Sequence, residues 1–265
     1  MLILFISGLA IGCVLGLTGA GGGILAVPVL MTIQGWTVTQ AAPVGLLAVT
    51  LATCIGTLQG LYKRTIRYRA AIWIAVMGIP ASHWGIALSH KIPTAILVLL
   101  FAITMFVVAY RLFKHVQDDF HNPPCRINPL TGKLVWDWST FWVLSAIGLL
   151  AGFLTGLLGV GGGFVIIPAL KKATNLGMQQ IVATSLMIIC LIGGISIGLH
   201  ALEGFHYPLK ISILFTLSCL IGLIIGRYWV HYLSSVMIQR TFAIVVVVIA
   251  LFMVIKSILT LSVIS

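Results

Sequence analysis

The sequence predicts an all-α integral membrane protein made of two homologous repeats. Hydrophobic residues make up 60% of the 265-residue chain, charged residues make up only 7%, and the mean hydropathy is +1.19. A soluble domain carries about 25% charged residues, so this chain could not cover a surface that faces water. Its apolar runs are continuous and do not alternate every second residue, which favours helices over the strands of a membrane β-barrel.

A glycine-rich motif that occurs twice indicates the two repeats. "GLTGAGGGILAVPVL" occupies 16–30 and "GLLGVGGGFVIIPAL" occupies 156–170, and eight of the fifteen aligned positions are identical. The match continues at the same spacing of 140 residues with Gln40 and Gln180. Each half of the chain is therefore predicted to be one copy of the same unit.

One polar stretch separates the two copies. "KHVQDDFHNPPCRINPLTGKLVWDW" (114–138) is rich in proline and charge, which is typical of a linker. Repeat 1 is therefore predicted to span 1–113 and repeat 2 to span 139–265.

The apolar runs predict the helices in chain order. Each repeat begins with a helical segment that the glycine motif breaks, and three long runs follow. A run of about 20 residues can cross a bilayer, whereas the short run after each motif cannot. The predicted segments are 2–17, 24–32, 41–62, 70–90, 93–113, 139–157, 164–170, 178–202, 208–230 and 238–263.

The distribution of basic residues favours inverted repeats. If each broken segment crosses the membrane once, the repeats are parallel and the fifteen basic residues divide ten to five. If each segment instead folds back, every repeat has three crossings, the repeats are inverted, and the division is twelve to three. Because cytoplasmic loops carry an excess of Lys and Arg, we expect the inverted arrangement, with a cytoplasmic linker and both termini outside.

The net charge of +11 does not indicate a nucleic-acid partner. The basic residues fall in loops between apolar runs, where they set the topology and contact membrane lipids. Arg227 is expected to snorkel to the lipid headgroups. The five cysteines form no CxxC pair, and no spacing matches a zinc site, so neither a metal centre nor a catalytic site is expected.

Three consecutive glycines inside an apolar run predict a broken helix. Glycine costs a helix about 1 kcal/mol relative to alanine, and a break is tolerated only where protein or a wet cavity surrounds it. The helix that follows would present unpaired N–H groups and its positive dipole end, which is an anion site. The alternative is tight helix packing through small residues. The glycines expected to bind an anion, between the repeats, are Gly21, Gly22, Gly23, Gly161, Gly162 and Gly163.

The two "GxGGGxxxxPxL" motifs, at 19–30 and 159–170, resemble those of the TauE/SafE sulfite-exporter family, also called the toluene sulfonate uptake permease family. The resemblance covers nearly the whole chain. "VATSL" (182–186) is similar to the family's segment after the second motif, whereas its counterpart "APVGL" (42–46) lacks the usual hydroxyls. The resemblance implies a permease of the bacterial inner membrane that carries small sulfur-containing anions, such as sulfite or sulfonates, without a fixed cofactor.

Hydroxyl side chains are further candidates for the anion site. Thr184 and Ser185 occupy the position that matches the family, so we expect them to donate hydrogen bonds to the anion. Thr50, Thr53 and Thr57 lie on one face of segment 41–62. They either line a pathway or bond to the preceding helical turn.

Three ionisable residues in or beside apolar runs are candidates for proton coupling. His83, His200 and Glu203 could relay protons, because ionisable groups inside membranes are often functional. The alternatives are a packing role for His83 and an interfacial pair between His200 and Glu203.

The sequence therefore predicts a transporter of a small anion, not an enzyme. Alternating access would move one repeat against the other around the paired helix breaks. An anion channel, or a transporter of small carboxylates, could use the same N–H donors. The substrate, the direction of transport, the coupling ion and the oligomeric state stay open.

Overall fold

A computed structural model describes residues 1–19, 21–113, 125, 136–202, 208–229 and 235–264. Each predicted run is a helix whose ends lie within three residues of the predicted ones. The predicted repeat 1 contains α1 (Leu2–Thr18), a 3-10 helix (Gly21–Leu25), α2 (Ala26–Gln34), α3 (Val38–Tyr62), α4 (Tyr68–Ser89) and α5 (Thr94–Phe113). The predicted repeat 2 contains α6 (Trp138–Leu158), α7 (Gly163–Ala173), α8 (Met178–Leu202), α9 (Leu209–Trp229) and α10 (Ser235–Ile264).

Six of the described helices are long and apolar enough to cross a membrane: α3, α4, α5, α6, α8 and α9. Large apolar side chains cover their outer surfaces, as for Leu58 (67% exposed) and Trp84 (71% exposed). Such a surface is stable in lipid and unstable in water. The chain is therefore a multi-pass membrane protein.

Two pairs of helices pack with their backbones in contact, α1 with α9 and α4 with α6. A methyl group built on Gly12 of α1 would lie 2.0 Å from the carbonyl oxygen of Cys219. One built on Gly152 of α6 would lie 2.0 Å from the carbonyl oxygen of Gly78. No side chain fits at these distances, so glycine allows the close approach. The glycines that make these contacts recur every four residues, at Gly8, Gly12 and Gly16 of α1 and at Gly148, Gly152 and Gly156 of α6.

The central helices of the two repeats, α3 and α8, run antiparallel. A methyl group on Gly60, near the end of α3, would lie 3.2 Å from Ala183, near the start of α8. Thr50, in the middle of α3, lies against Gly193, further along α8. Midway along the contact, the sulfur atoms of Cys54 and Cys190 are 2.8 Å apart.

In repeat 1 the chain turns back on itself after α1. Gly19 has a φ of 85°, in the left-handed region, and ends the helix. A methyl group on Gly22 would lie 2.5 Å from the backbone nitrogen of Leu15. In a continuous helix these residues would be about 10 Å apart, so the chain has reversed its direction. The α-helix is therefore interrupted at the glycine motif, although the reversal precedes the triplet and Gly21–Leu25 forms a 3-10 helix.

Repeat 2 has the same reversal between α6 and α7. Gly159, Gly161 and Gly162 have φ values of 69°, 77° and 63°, and α7 begins at Gly163. The break therefore lies within the triplet, as the sequence predicts. A methyl group on Gly162 would lie 2.7 Å from the carbonyl oxygen of Ala151, so α7 returns along α6.

Cys125, from the linker segment, joins the two ends of the α6–α7 hairpin. Its backbone N–H donates to the carbonyl oxygen of Ala173 at 2.9 Å, where α7 ends. Burial raises the pKa of its thiol, and the Thr140 hydroxyl, near the start of α6, acts in the opposite direction. The hairpin therefore begins and ends at the same end of the helix bundle.

We expect leucine to be tolerated at Gly194 and not at Gly152. Gly194 is exposed on α8, and no described atom lies within 4 Å of an added methyl group. At Gly152 the same group would overlap the backbone of α4. Size-exclusion chromatography of both variants in detergent should give a folded peak for Gly194→Leu and aggregate for Gly152→Leu. Equal recovery of the two would contradict the backbone contact between α4 and α6.

Candidate functional site

The two glycine breaks meet between the central helices of the bundle. A methyl group on Gly23 would lie 2.9 Å from the carbonyl oxygen of Val160, in the break of repeat 2, and 3.1 Å from Val49. One on Gly161 would lie 2.9 Å from Ile189 and 3.5 Å from Val49. Val49 and Ile189 are each one residue from the middle of their helices, α3 and α8. Both breaks are thus brought to the centre of the protein, where they contact each other.

The N-terminus of α7 offers backbone donors at this point. The N–H groups of Val165 and Ile166 both bond to the carbonyl oxygen of Gly162, at 3.0 and 3.2 Å. Within the described ranges, no acceptor bonds to the N–H groups of Gly161, Gly162 or Gly163. Unpaired N–H groups at a helix N-terminus, together with the helix dipole, attract an anion.

The break in repeat 1 has different chemistry. The N–H of Gly22 donates to the Thr18 hydroxyl at 3.2 Å, and that hydroxyl donates to the carbonyl oxygen of Val14 at 2.8 Å. The N–H of Gly22, one of the amides predicted to bind the anion, is therefore already bonded to Thr18. Its counterpart in repeat 2 is Leu158, which has no hydroxyl. The sequence could have indicated this hydrogen bond, because Thr18 lies four positions before Gly22 at the end of an apolar helix.

Thr184 and Ser185 are both fully buried near the start of α8, and their contacts differ. The Thr184 hydroxyl accepts a hydrogen bond from the backbone N–H of Arg67 at 3.1 Å, which fixes the start of α4. The Ser185 hydroxyl donates to the carbonyl oxygen of Val182 at 2.8 Å. Ser185 shares a helix face with Val182 and Ile189, which contact Gly19 and Gly161. It is therefore the hydroxyl on the side of α8 that faces both hairpins.

The threonines of α3 bond mostly along their own helix. Thr53 donates to the carbonyl oxygen of Thr50 at 2.9 Å, and Thr57 donates to that of Thr53 at 2.8 Å. This is the second of the two roles that the sequence left open. Thr50 is 3% exposed, its hydroxyl has no hydrogen-bond partner in the described part of the chain, and it lies over Gly193.

The candidates for proton coupling lie in different environments. His83 is exposed on the outer surface of α4, whereas His200 is 4% exposed near the end of α8. Glu203 lies outside the described residues. In the described ranges, no three His, Cys, Asp or Glu side chains form a group that could hold a metal ion.

The sequence predicts that Arg227 snorkels to the lipid headgroups, and the structure describes a protein partner for its guanidinium. Its Nη1 donates to Oε1 of Gln59 on α3. A methyl group built on Gly56 would lie 2.9 Å from its Nη2. The guanidinium is half-buried and packs across α3, because glycine at position 56 leaves room for it.

The chain is similar to proteins that are named as probable membrane transporters. The profile of the family described as "Sulfite exporter TauE/SafE" matches residues 4–253. A "Probable membrane transporter protein" of Xylella fastidiosa (strain Temecula1) is 25% identical over 261 residues, 95% of this chain and 94% of that protein. One of Methanocaldococcus jannaschii is 30% identical over 215 residues, 77% of this chain and 75% of its own length. No solved structure matches the chain significantly.

We expect the conservative variant Thr184→Val to lower stability more than Ser185→Ala. Valine keeps the shape of threonine but leaves the N–H of Arg67 without its acceptor, which costs about 1 kcal/mol, or about 2–4 °C in the melting temperature. Ser185→Ala removes only a bond to a carbonyl that α8 already uses, so its melting temperature should stay closer to that of the parent protein. Thermal unfolding in detergent measures both, and the reverse order would contradict these hydrogen-bond assignments.

Proposed function

This chain belongs to the sulfite exporter TauE/SafE family and is a membrane transporter, not an enzyme, and we propose that it carries a small sulfur oxyanion or organosulfonate. The observation that carries the proposal is the meeting of the two glycine breaks at the middle of α3 and α8, with open N–H donors at the start of α7. The bacterial inner membrane is the proposed location.

A compact oxyanion suits these donors. Sulfite and the sulfonate group present several oxygen acceptors on one atom and little apolar surface, so backbone N–H groups can bind them without a large pocket. In a site shielded from water, each such bond is stronger than at a surface. The amides of Gly161, Gly162 and Gly163 supply the first contacts, and Ser185 supplies a hydroxyl if it rotates away from Val182. A small carboxylate could use the same donors and is the second candidate substrate.

The directions of the packed helices support inverted repeats. Helices α3 and α8 occupy equivalent places in the two repeats and run antiparallel, with Gly60 beside Ala183. Helix α1 runs parallel to α9, since Gly8 lies beside Ser218 and Gly16 beside Leu223. Helix α4 runs parallel to α6 in the same way. Suppose that α4 crosses the membrane back after α3, and α9 after α8. Then α1 and α6, α3 and α8, and α4 and α9, which are the equivalent helices of the two repeats, all run in opposite directions.

The two hairpins support the same topology. Because each hairpin turns back, it adds no net crossing of the membrane. The three helices that follow it therefore give each repeat an odd number of crossings. The linker then lies in the cytoplasm with the basic loop around Lys63, Arg64 and Arg67, and both termini lie outside.

Alternating access then moves two bodies around the α3–α8 contact. Each body combines the hairpin and following helix of one repeat with the fourth helix of the other repeat. One contains α1, α2, α3 and α9, and the other contains α6, α7, α8 and α4. The backbone contacts of α1 with α9 and of α4 with α6 hold each body rigid. The two bodies contact each other mainly through α3 and α8.

Transport is tested directly in proteoliposomes. Vesicles that contain the protein and are loaded with unlabelled sulfite should take up radiolabelled sulfite by saturable exchange, and protein-free vesicles should not. Organosulfonates should compete better than small carboxylates if the sulfur oxyanion is the substrate. Flux that neither saturates nor responds to internal anion would favour a channel. If sulfite, sulfonates and carboxylates all fail to exchange, the proposed function is wrong.

A disulfide between Cys54 and Cys190 should stop exchange, because it ties the two bodies together. Their sulfur atoms are already in contact, so a mild oxidant such as diamide should form the bond. Cys54→Ser and Cys190→Ser are the matched controls, and both should keep their exchange rate under oxidation. A reductant should restore the parent protein. Full exchange by completely cross-linked protein would show that α3 and α8 do not move apart.

A further inference from the structure

The Arg227 guanidinium lies where helices of both repeats converge. A methyl group built on Gly56 of α3 would lie 2.9 Å from its Nη2 and 2.8 Å from the side chain of Leu186 on α8. The backbone nitrogen of Arg227 would lie 2.9 Å from a methyl group on Gly16, close to the end of α1. Arg227 is thus beside the first hairpin and the α3–α8 contact.

The charge of this guanidinium is not balanced by a carboxylate in the described part of the chain. Its side-chain partner is the neutral amide of Gln59. Asp137, the one acidic residue in the described ranges, instead accepts a bond from the N–H of Trp138 at the start of α6. A cation in a membrane helix costs free energy unless it is paired, and such a residue often marks a functional site. Since a guanidinium has five N–H donors, most remain available after the bond to Gln59.

The pseudo-equivalent position in the other repeat has no charge. The spacing of 141 residues that relates Gly85 to Gly226 relates Ile86 to Arg227. The backbone nitrogen of Ile86 would lie 3.0 Å from a methyl group on Gly156, as that of Arg227 lies beside Gly16. The backbone contacts are therefore the same, and only the side chain differs. Packing does not require an arginine there.

We propose that Arg227 and Gln59 form a side-chain subsite for an oxyanion, separate from the backbone donors of α7. The planar guanidinium binds two oxygens of one anion side by side, which a sulfite, sulfonate or phosphate group offers. Gln59 is exposed and Arg227 is half-buried, so the subsite is open from one face of the protein. Binding of the transported anion at this subsite rests on the proposed function. The phosphate of an anionic lipid has the same chemistry and is the other candidate oxyanion.

The test measures sulfite binding to the full-length protein in neutral detergent without added lipid. Arg227→Gln should weaken sulfite binding by at least about tenfold, because it removes charge-assisted hydrogen bonds. Arg227→Lys should recover part of the affinity, since the charge returns without the planar pair of donors. Arg111→Gln is the matched control, because Arg111 is an exposed arginine on α5 and should bind sulfite as the parent does.

Gln59→Leu separates binding from a structural role. If the bond between Arg227 and Gln59 only ties α9 to α3, Gln59→Leu and Arg227→Gln should lower the melting temperature equally and leave the sulfite Kd unchanged. That result overturns the proposal. If the subsite binds an oxyanion, Gln59→Leu should weaken sulfite binding, but by less than Arg227→Gln does, because the guanidinium and its charge remain.

A lipid series distinguishes the two sources of the oxyanion. In nanodiscs, phosphatidylglycerol that competes with sulfite and stabilises the parent but not Arg227→Gln would identify the lipid phosphate. Sulfite binding that depends on Arg227 and ignores phosphatidylglycerol would identify the transported anion. If the parent binds no sulfite, sulfonate or carboxylate, the proposed function fails, yet the lipid series still tests the subsite. Equal stabilisation of both proteins by phosphatidylglycerol, with equal sulfite affinity or none, overturns it.

Discussion

A backbone that leaves its helical hydrogen-bond ladder inside a bilayer must do so within the protein, because lipid supplies no partner for the freed groups. The two glycine breaks meet this condition by lying between α3 and α8, where Gly23 and Gly161 both approach Val49. The glycine stripes, which are Gly8, Gly12 and Gly16 of α1 and Gly148, Gly152 and Gly156 of α6, also help to enclose the breaks in protein. They bring α9 and α4 close enough to enclose the hairpins, so tight packing and helix breaking are complementary uses of glycine in the same helices.

The sequence alone predicts much of this fold, since hydropathy and the repeated motif locate each α-helix of the described ranges to within three residues. It does not predict which helix faces which, because periodicity says nothing about partners. The reversal at Gly19 precedes the triplet because a single left-handed glycine already ends α1. The contact of Arg227 with α3 depends on the space at Gly56, on another helix, and could not be predicted from its own segment. Thr18 was missed because the break was placed after it.

The two halves share a backbone plan but differ in chemistry. Thr18 bonds to an amide in the first break, whereas Leu158 leaves the second without such a partner. Arg227 contrasts with Ile86 in the same way. In the proposed alternating-access cycle the shared scaffold would give two related states, and these substitutions would make the two states unequal. An inequality of this kind is what a transporter needs if the anion is to be held differently on its two sides.

The exchange of α4 and α9 between the halves bears on how the chain is made. The partner of α1 is synthesised last but one, about 200 residues later, so the glycine stripe of α1 must wait in the lipid while most of the protein leaves the ribosome. Contacts between such distant segments form late, because a long loop has to close first. A truncated nascent chain would therefore expose unsatisfied packing surfaces, which membrane quality-control proteases could recognise.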